Sequence, residues 1–203
     1  YNSAILFSPK GTVRDIYRKR HLVMFGEYIP LGNQFPWLYD LLPIGPGLAA
    51  GDGVLNFEIE GVVFVPNICF ESTVPHLVRN MMQQSNTQGQ RGDVMLNLTN
   101  DGWFWGSAML DIHLRCNVMR AVEMRRPNLV AANTGISAWI TPTGKIVQQE
   151  AKRKDGFVIA QVGTATYDSV YMRFGDILSI VAATLAGIAV LRSFKSVPQN
   201  RKN

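Results

Sequence analysis

A cysteine with a nearby carboxylate is the first feature of this sequence that could carry out covalent chemistry. Cys69 follows an apolar run that begins at residue 61, and Glu71 stands two positions after it. A thiolate is a strong nucleophile, and the N-terminus of a following helix stabilises its negative charge. Ser72 and Pro75 supply such a helix start. Cys69 is therefore a candidate nucleophile at a strand-to-helix turn, although a cysteine after an apolar strand is also often a small core residue.

A second group of ionisable residues lies early in the chain. Lys19, His21 and Glu27 occur among apolar residues of the segment 17–30. An ammonium group beside a cysteine would stabilise both the thiolate and the oxyanion of an acyl-transfer intermediate. A charged cluster between apolar residues is also typical of a solvated loop, and the spacing alone favours the loop.

A third pair of residues could in principle hold a metal ion. His113 and Cys116 lie three apart on a predicted helix, which permits two ligands to one ion. The sequence offers no second Cys/His pair to complete such a site. We therefore expect neither a metal nor a cofactor.

The elements that must position these residues alternate between strands and helices. Residues 4–7 and 12–17 predict a hairpin around a Pro/Gly turn. Residues 62–65 predict a strand, and Pro66 marks where this strand begins to give way to a turn. A helix is predicted to follow from Pro75. A second helix is predicted at 107–126 with Ser107 as its N-cap. Five further strands are predicted at 94–98, 129–132, 138–141, 145–149 and 156–162.

Two segments rich in aromatic residues stand outside these elements. Residues 31–51 hold large apolar side chains, Trp37 among them, between prolines and glycines, so we expect a loop. Its side chains either fold back on the core or face a lipid or an apolar ligand. Trp103 lies among polar residues just beyond a strand, which is typical of a pocket rim, although turn chemistry alone would explain residues 100–102.

Composition and charge restrict the class of protein. The chain has 203 residues, of which 47% are hydrophobic and 17% charged, enough for one packed domain. The net charge of +5 comes without a basic and aromatic stacking pattern, so no nucleic-acid partner is expected. Two cysteines are too few for a disulfide framework. Because the chain begins at Tyr1, we interpret it as part of a longer protein.

The end of the chain changes character. Residues 177–191 carry no charge, and basic residues follow at Arg192, Lys195, Arg201 and Lys202. An uncharged helix of this length spans about 22 Å, less than the roughly 30 Å of a bilayer core, so a buried core helix is one interpretation. Extension through residue 194 brings the helix near spanning length. We predict a transmembrane helix at 176–194 and a basic cytoplasmic tail at 195–203.

Several local motifs resemble the apolipoprotein N-acyltransferases of the nitrilase superfamily. The matching segments are KRHLVMFGEYIP, PNICFES, NLTNDGWF, RAVEMRRP and NTGISAWITPTGKI, which together with the terminal apolar segment cover nearly the whole chain. The resemblance implies an α/β fold, a four-layer αββα nitrilase-like sandwich over residues 1–175 that is incomplete at its N-terminal end. Met24 and Phe70 depart from the family pattern, which usually has proline and tyrosine there.

The resemblance also implies roles for the site residues. Lys19 matches the lysine and Cys69 the nucleophile of a Glu-Lys-Cys triad, while Glu27 and Glu71 match two additional acidic residues of the site. Substrate contacts are assigned to three aromatic residues: Phe70, Trp103 and Trp37. The triad glutamate of the family belongs to a segment upstream of the position of Tyr1, so the chain alone is expected to be inactive.

By resemblance, the function is transfer of an acyl chain from a phospholipid to the N-terminal amine of a diacylglyceryl-cysteine apolipoprotein, through a thioester on Cys69. The expected partners are the phospholipid donor, the apolipoprotein acceptor and the membrane. The expected location is the bacterial inner membrane, with the catalytic domain on the periplasmic side.

Two alternatives to this function stay open. A soluble nitrilase-type amidase, which hydrolyses a C–N bond, would share the triad but would need neither the apolar loop nor a terminal hydrophobic helix. A non-catalytic, membrane-anchored binding module is favoured if Cys69 proves to be buried and unreactive.

Overall fold

The computed structural model describes residues 1–41, 47–84, 89, 91–165 and 167–195. Within these ranges the strands form two sheets, one of two strands and one of six.

A β-hairpin opens the chain, as predicted. Strand β1 (Ser3–Phe7) pairs antiparallel with β2 (Val13–Arg18). Gly11 has a φ of 77° in the connecting turn, a left-handed conformation that glycine adopts without steric cost. Ala4 and Tyr17 are buried in the main hydrophobic core. The hairpin thus anchors the backbone immediately before Lys19.

The predicted loop at 31–51 contains one turn of helix, α1 (Leu38–Leu41), in its described part. Residues 42–46 lie outside the described residues. Several large apolar side chains here are exposed, in keeping with a segment that is interrupted by proline and glycine: Leu31, Phe35, Trp37 and Leu41.

The six-stranded sheet holds the candidate nucleophile. Its strands, in spatial order, are β3 (Phe57–Ile59), β4 (Val62–Ile68), β5 (Val94–Asn100), β6 (Asn128–Asn133), β7 (Ala138–Ile140) and β8 (Ile146–Gln149). The central strands β4, β5 and β6 are parallel, and the flanking pairs are antiparallel. Because parallel strands end at the same edge of a sheet, the turns that carry Cys69 and Asp101 emerge side by side.

Two helices, α2 (Pro75–Gln83) and α3 (Met109–Met124), pack against this sheet and against each other. The predicted N-cap of α3 is wrong by one position, because Ala108 is the cap and Ser107 Oγ instead accepts a hydrogen bond from the Met109 amide at 3.3 Å. The sheets and helices agree with the predicted nitrilase-like α/β fold. The four-layer arrangement over residues 1–175 stays a prediction.

One predicted strand end and one predicted strand are wrong, each for an identifiable reason. Strand β4 continues through Pro66, since β3 pairs only with residues 62–64 and Pro66 therefore needs no donor on that side. No strand forms at 156–162. The side-chain amide of Gln148 bonds there to the Phe157 carbonyl and the Ile159 amide, so this segment follows β8 through a side chain rather than through backbone pairing.

The described chain ends with α4 (Val170–Phe174) and α5 (Ile177–Lys195). Helix α5 stands where the transmembrane helix was predicted, at 176–194. Across the parts of the chain that the structure describes, however, no helix has both the length and the apolar character needed to cross a membrane. The predicted transmembrane helix is therefore not found among the described residues, and the uncharged stretch within α5 ends at Leu191, one residue before Arg192. Residues 196–203 of the predicted basic tail lie outside the described residues.

Candidate active site

Cys69 occupies the predicted strand-to-helix turn, which the structure confirms. It begins a short 3₁₀ helix, Cys69–Thr73, directly after β4. Its φ of 52° is left-handed, which costs a non-glycine residue about 1–2 kcal/mol. The thiol is free and half-buried rather than sealed in the core. The turn therefore holds a strained nucleophile candidate at the sheet edge.

Lys19 and Glu27 form an ion pair in which the lysine is buried and the glutamate partly buried. Lys19 is 1% exposed, and its Nζ donates to Glu27 Oε2 at 2.7 Å. The Val23 amide donates to the same oxygen at 2.8 Å, and Asn2 Nδ2 donates to Oε1 at 3.2 Å. Burial by itself raises the pKa of Glu27, but the bonds from Lys19 and Val23 outweigh it and hold the pKa below its ordinary value. The solvated loop that the spacing favoured is thus wrong.

A cavity of about 610 Å³ brings Cys69 and Lys19 together. Most of its lining is apolar, including Leu98, Ile112 and Cys116. Of the described residues that line it, Glu27 is the only carboxylate. The cavity therefore combines a thiol and an ammonium group with a surface suited to a hydrocarbon chain.

Glu71 is fully buried beneath the turn and is not among the residues that line this cavity. Its Oε1 accepts hydrogen bonds from the amides of Arg20 and His21 at 2.8 and 3.0 Å, and its Oε2 accepts one from the Ile68 amide at 2.7 Å. The Tyr17 hydroxyl donates to both oxygens, at 3.0 and 2.9 Å. Burial, and then the neighbouring Glu71 carboxylate, raise the pKa of Tyr17. Glu71 thus ties the segment that carries Lys19 to the end of β4.

The three aromatic residues assigned to the substrate are not all at the cavity. Phe70 and Trp103 line it. Phe70 stacks on His21 with ring centroids 6.0 Å apart, and Trp103 is 74% exposed at the rim. Trp37 is exposed but does not line this cavity. Tyr39, two residues further on, instead accepts a hydrogen bond from the Ile29 amide on its hydroxyl oxygen at 3.4 Å.

His113 belongs to the site, although the sequence suggested only a metal ligand there. Its Nδ1 lies 3.0 Å from Asp101 Oδ1, and the Thr99 hydroxyl donates to that same oxygen at 2.7 Å. Its Nε2 lies 3.0 Å from Ser72 Oγ and 3.1 Å from the Cys69 carbonyl oxygen. The signal available in the sequence was a pair of polar residues, at 99 and 101, directly after a buried strand.

A line of buried asparagines connects the turn to the sheet. Asn128 Nδ2 donates to Asn117 Oδ1 at 2.9 Å, Asn117 Nδ2 to Asn97 Oδ1 at 3.3 Å, and Asn97 Nδ2 to Asn67 Oδ1 at 2.7 Å. Asn97 Nδ2 also reaches the Cys69 carbonyl oxygen at 3.2 Å. The amides therefore link β4, β5, β6 and α3 to the backbone of Cys69.

Proteins of similar sequence are apolipoprotein N-acyltransferases. The one from Rhodopirellula baltica is 37% identical over 206 residues, covering 100% of this chain and 36% of the relative. The one from Geobacter metallireducens is 34% identical over 190 residues, covering 94% of this chain and 35% of the relative. The chain therefore spans about a third of the length of these relatives.

Solved structures share the fold. A glutamine-dependent NAD⁺ synthetase from Acinetobacter baumannii has a TM-score of 0.58 at 18% identity, covering 77% of this chain and 27% of that chain. A carbon-nitrogen hydrolase from Helicobacter pylori has a TM-score of 0.56 at 14% identity, covering 76% of this chain and 53% of that chain. At these identities the likeness shows the fold alone. Residues 1–171 match the family model described as carbon-nitrogen hydrolase. Because this match covers most of the chain, the chain belongs to the carbon-nitrogen hydrolase family.

Proposed function

We propose that this chain carries the nucleophile of an N-acyltransferase, which moves an acyl chain from a phospholipid to the N-terminal amine of a diacylglyceryl-cysteine apolipoprotein. The observation that carries the proposal is the largely apolar cavity that Cys69 shares with the buried ammonium group of Lys19. The similar proteins named apolipoprotein N-acyltransferase support the choice of donor and acceptor.

In the first half of the proposed reaction, the Cys69 thiolate attacks the ester carbonyl carbon of the phospholipid. A C–S bond forms and the carbonyl π electrons move to oxygen. The Lys19 ammonium group and the backbone N–H of Phe70 stabilise this oxyanion. The oxyanion then collapses, the ester C–O bond breaks, and the lysophospholipid oxygen leaves with the proton that the base took from the Cys69 thiol. The acyl chain remains on Cys69 as a thioester.

In the second half, the acceptor amine attacks the thioester carbonyl. The amine gives a proton to a base, the C–S bond breaks, and the amide product leaves a free Cys69 thiolate. An apolar cavity favours this aminolysis over hydrolysis, because it lowers the access of water to the thioester. The cavity lining around Leu98 and Ile112 suits the hydrocarbon chain during both halves.

The two carboxylates have supporting roles in this proposal. Glu27 orients the ammonium group of Lys19, since its oxygens already accept three hydrogen bonds. Glu71 fixes the turn that presents Cys69. The base is the triad glutamate that the family resemblance implies, and it is neither Glu27 nor Glu71. Following the family resemblance, we place the reaction at the periplasmic side of the bacterial inner membrane.

The test is to trap the acyl enzyme in the full-length protein. Incubation with a phospholipid, followed by proteolysis and mass spectrometry, should show an acyl adduct on the peptide that contains Cys69. The variant Cys116→Ala is the matched control and should still form the adduct, whereas Cys69→Ala should not. An adduct on Cys116 instead, or full activity in Cys69→Ala, would contradict the proposal.

The same incubation separates the proposal from an amidase. With an amine-bearing lipopeptide present, an acyltransferase yields the N-acylated peptide and a lysophospholipid. An amidase yields a free acid from a simple amide and leaves the phospholipid intact.

A further inference from the structure

We propose that His113 is a positioning residue for the nucleophile, which it serves by hydrogen bonding to the 3₁₀ turn that begins at Cys69. The inference rests on the proposed role of Cys69 as the acylated residue. In the family resemblance, the site consists of the triad and two additional acidic residues, and His113 has no part in it.

The orientation of the His113 ring is fixed from one side. The side chains of His113 and Asp101 are 6% and 3% exposed. An ionised carboxylate only accepts hydrogen bonds, so the imidazole Nδ1, 3.0 Å from Asp101 Oδ1, carries a proton and donates it. The Thr99 hydroxyl donates to the same oxygen at 2.7 Å and holds the carboxylate in place. The ring therefore has one orientation, with Nε2 directed at the Cys69 turn.

The other side of the ring acts on the turn. Nε2 is within 3.1 Å of both Ser72 Oγ and the Cys69 carbonyl oxygen, and Ser72 Oγ is itself 3.2 Å from that carbonyl oxygen. Two arrangements of hydrogens satisfy this triangle. In one, the Ser72 hydroxyl donates to Nε2. In the other, the ring carries a proton on both nitrogens, and Nε2–H and the Ser72 hydroxyl both donate to the carbonyl oxygen. Each arrangement joins the ring to the first turn of the 3₁₀ helix.

The Cys69 turn needs such a restraint because its backbone is strained. With φ at 52°, Cys69 has a conformation that a non-glycine residue leaves when nothing holds it. Leaving it would rotate the peptide that follows Cys69, and with it the thiol and the Phe70 N–H. Without His113, Asn97 Nδ2 and the Ser72 hydroxyl are the remaining side-chain donors near the carbonyl among the described residues.

The first measurement tests the Cys69 turn in the absence of an acyl donor, through the alkylation rate of the thiol. In the full-length protein, the alkylation rate of Cys69 by iodoacetamide should fall roughly 10- to 100-fold in His113→Leu, the range expected when hydrogen bonds to a strained backbone are lost. Cys116 lines the same cavity and should keep its alkylation rate. His113→Gln, whose amide can still hydrogen-bond to the turn, should recover part of the loss. The exposed His76→Leu is the matched control and should change neither thiol.

The second measurement separates positioning from general stability. At temperatures where each variant is fully folded, His113→Leu should lower kcat for acyl transfer by a similar factor and leave KM for phospholipid unchanged. Cys69 reactivity within twofold of the parent protein in His113→Leu would overturn the proposal. Parallel changes at Cys69 and Cys116 would also overturn it, since they would mean that access to the whole cavity had changed and not the Cys69 turn alone.

If His113→Leu does not fold, Ser72→Ala and His113→Gln carry the test. A Cys69 alkylation rate that is unchanged in both would overturn the proposal. Because alkylation needs no phospholipid, a protein that is never acylated on Cys69 but shows the alkylation effect would refute the proposed function and leave the role of His113 standing.

Discussion

Replacing Glu71 by glutamine should lower the free energy of unfolding of the protein by a large fraction. It should not act by removing a catalytic base. The change keeps the shape of the side chain and replaces one oxygen by an NH₂ group. If the amide nitrogen took the place of Oε1, the amides of both Arg20 and His21 would lose their acceptor. If it took the place of Oε2, only the Ile68 amide would, because the Tyr17 hydroxyl can turn to Oε1 at 3.0 Å. The second placement is therefore the better one.

The magnitude follows from that placement. One buried N–H is left facing another donor, at a cost of about 1–3 kcal/mol. The remaining bonds fall from charge-assisted to neutral strength, which adds about 0.5–1 kcal/mol each. Three bonds remain, from Arg20, His21 and Tyr17. The expected loss is therefore about 2.5–6 kcal/mol, out of a total stability of about 5–15 kcal/mol for a domain of this size. Tyr17→Phe removes a donor but leaves the three amide bonds to Glu71, so it should cost about 1–2 kcal/mol.

The assay is urea unfolding with a shared m-value. The exposed Glu60→Gln is the matched control and should change stability by no more than about 0.5 kcal/mol. A smaller loss in Glu71→Gln than in Tyr17→Phe would refute the reasoning. Loss of acyl transfer with unchanged stability would likewise refute it, since that is the behaviour of a base.

Four further changes test the site. Lys19→Met should lower kcat for acyl transfer roughly 100-fold or more, measured as formation of N-acylated peptide, because the oxyanion loses its cation; near-normal turnover would exclude that role. The Glu27 carboxyl has a pKa below its ordinary value of 4.5, so it stabilises the folded state above that pH and the contribution disappears as the pH falls through the folded pKa. Urea unfolding at a series of pH values should therefore show a shallower acid loss in Glu27→Gln. The double change Trp37→Ser and Leu41→Ser should impair use of phospholipid more than use of a short soluble ester, while equal losses would indicate a core role. Residues 1–203 alone should give no turnover in a phospholipid assay, because the oxygens of Glu27 already accept three hydrogen bonds and do not serve as the base. Robust acyl transfer by these residues would instead show that a carboxylate of this chain is the base.

Local patterns in the sequence identify the parts of the fold that depend on neighbouring residues. The hairpin at β1 and β2 follows from two extended runs around a Pro/Gly turn. The placement of Cys69 follows from an apolar run that ends at a helix-start sequence. The confirmed elements have in common that adjacent residues determine them.

The errors arise where distant residues decide the outcome. The spacing of Lys19 and Glu27 favoured a solvated loop, because nothing in residues 17–30 reveals that the end of β4 covers them. The strand was expected to give way to a turn at Pro66. The sequence does not show that β3 is too short to pair with this residue. His113 acquires its partners only when β5 and α3 pack together, and no spacing within α3 predicts a carbonyl group from another element. A single sequence therefore places the candidate nucleophile more readily than the groups that hold it.

The line of asparagines has a consequence for how α3 can dock. The amides point one way, from Asn128 through Asn117 and Asn97 to Asn67, so each one donates to the next. If the side-chain amide of Asn117 or Asn97 were flipped, its nitrogen would face a nitrogen at one contact. Its oxygen would face an oxygen at the other contact. A shift of α3 along the sheet by a single turn would break the bonds that join Asn117 to Asn97 and Asn128, while its bond to the His113 carbonyl within α3 would remain. These bonds therefore favour one register of α3, and the same line of amides connects the backbone of Cys69 to three strands at once.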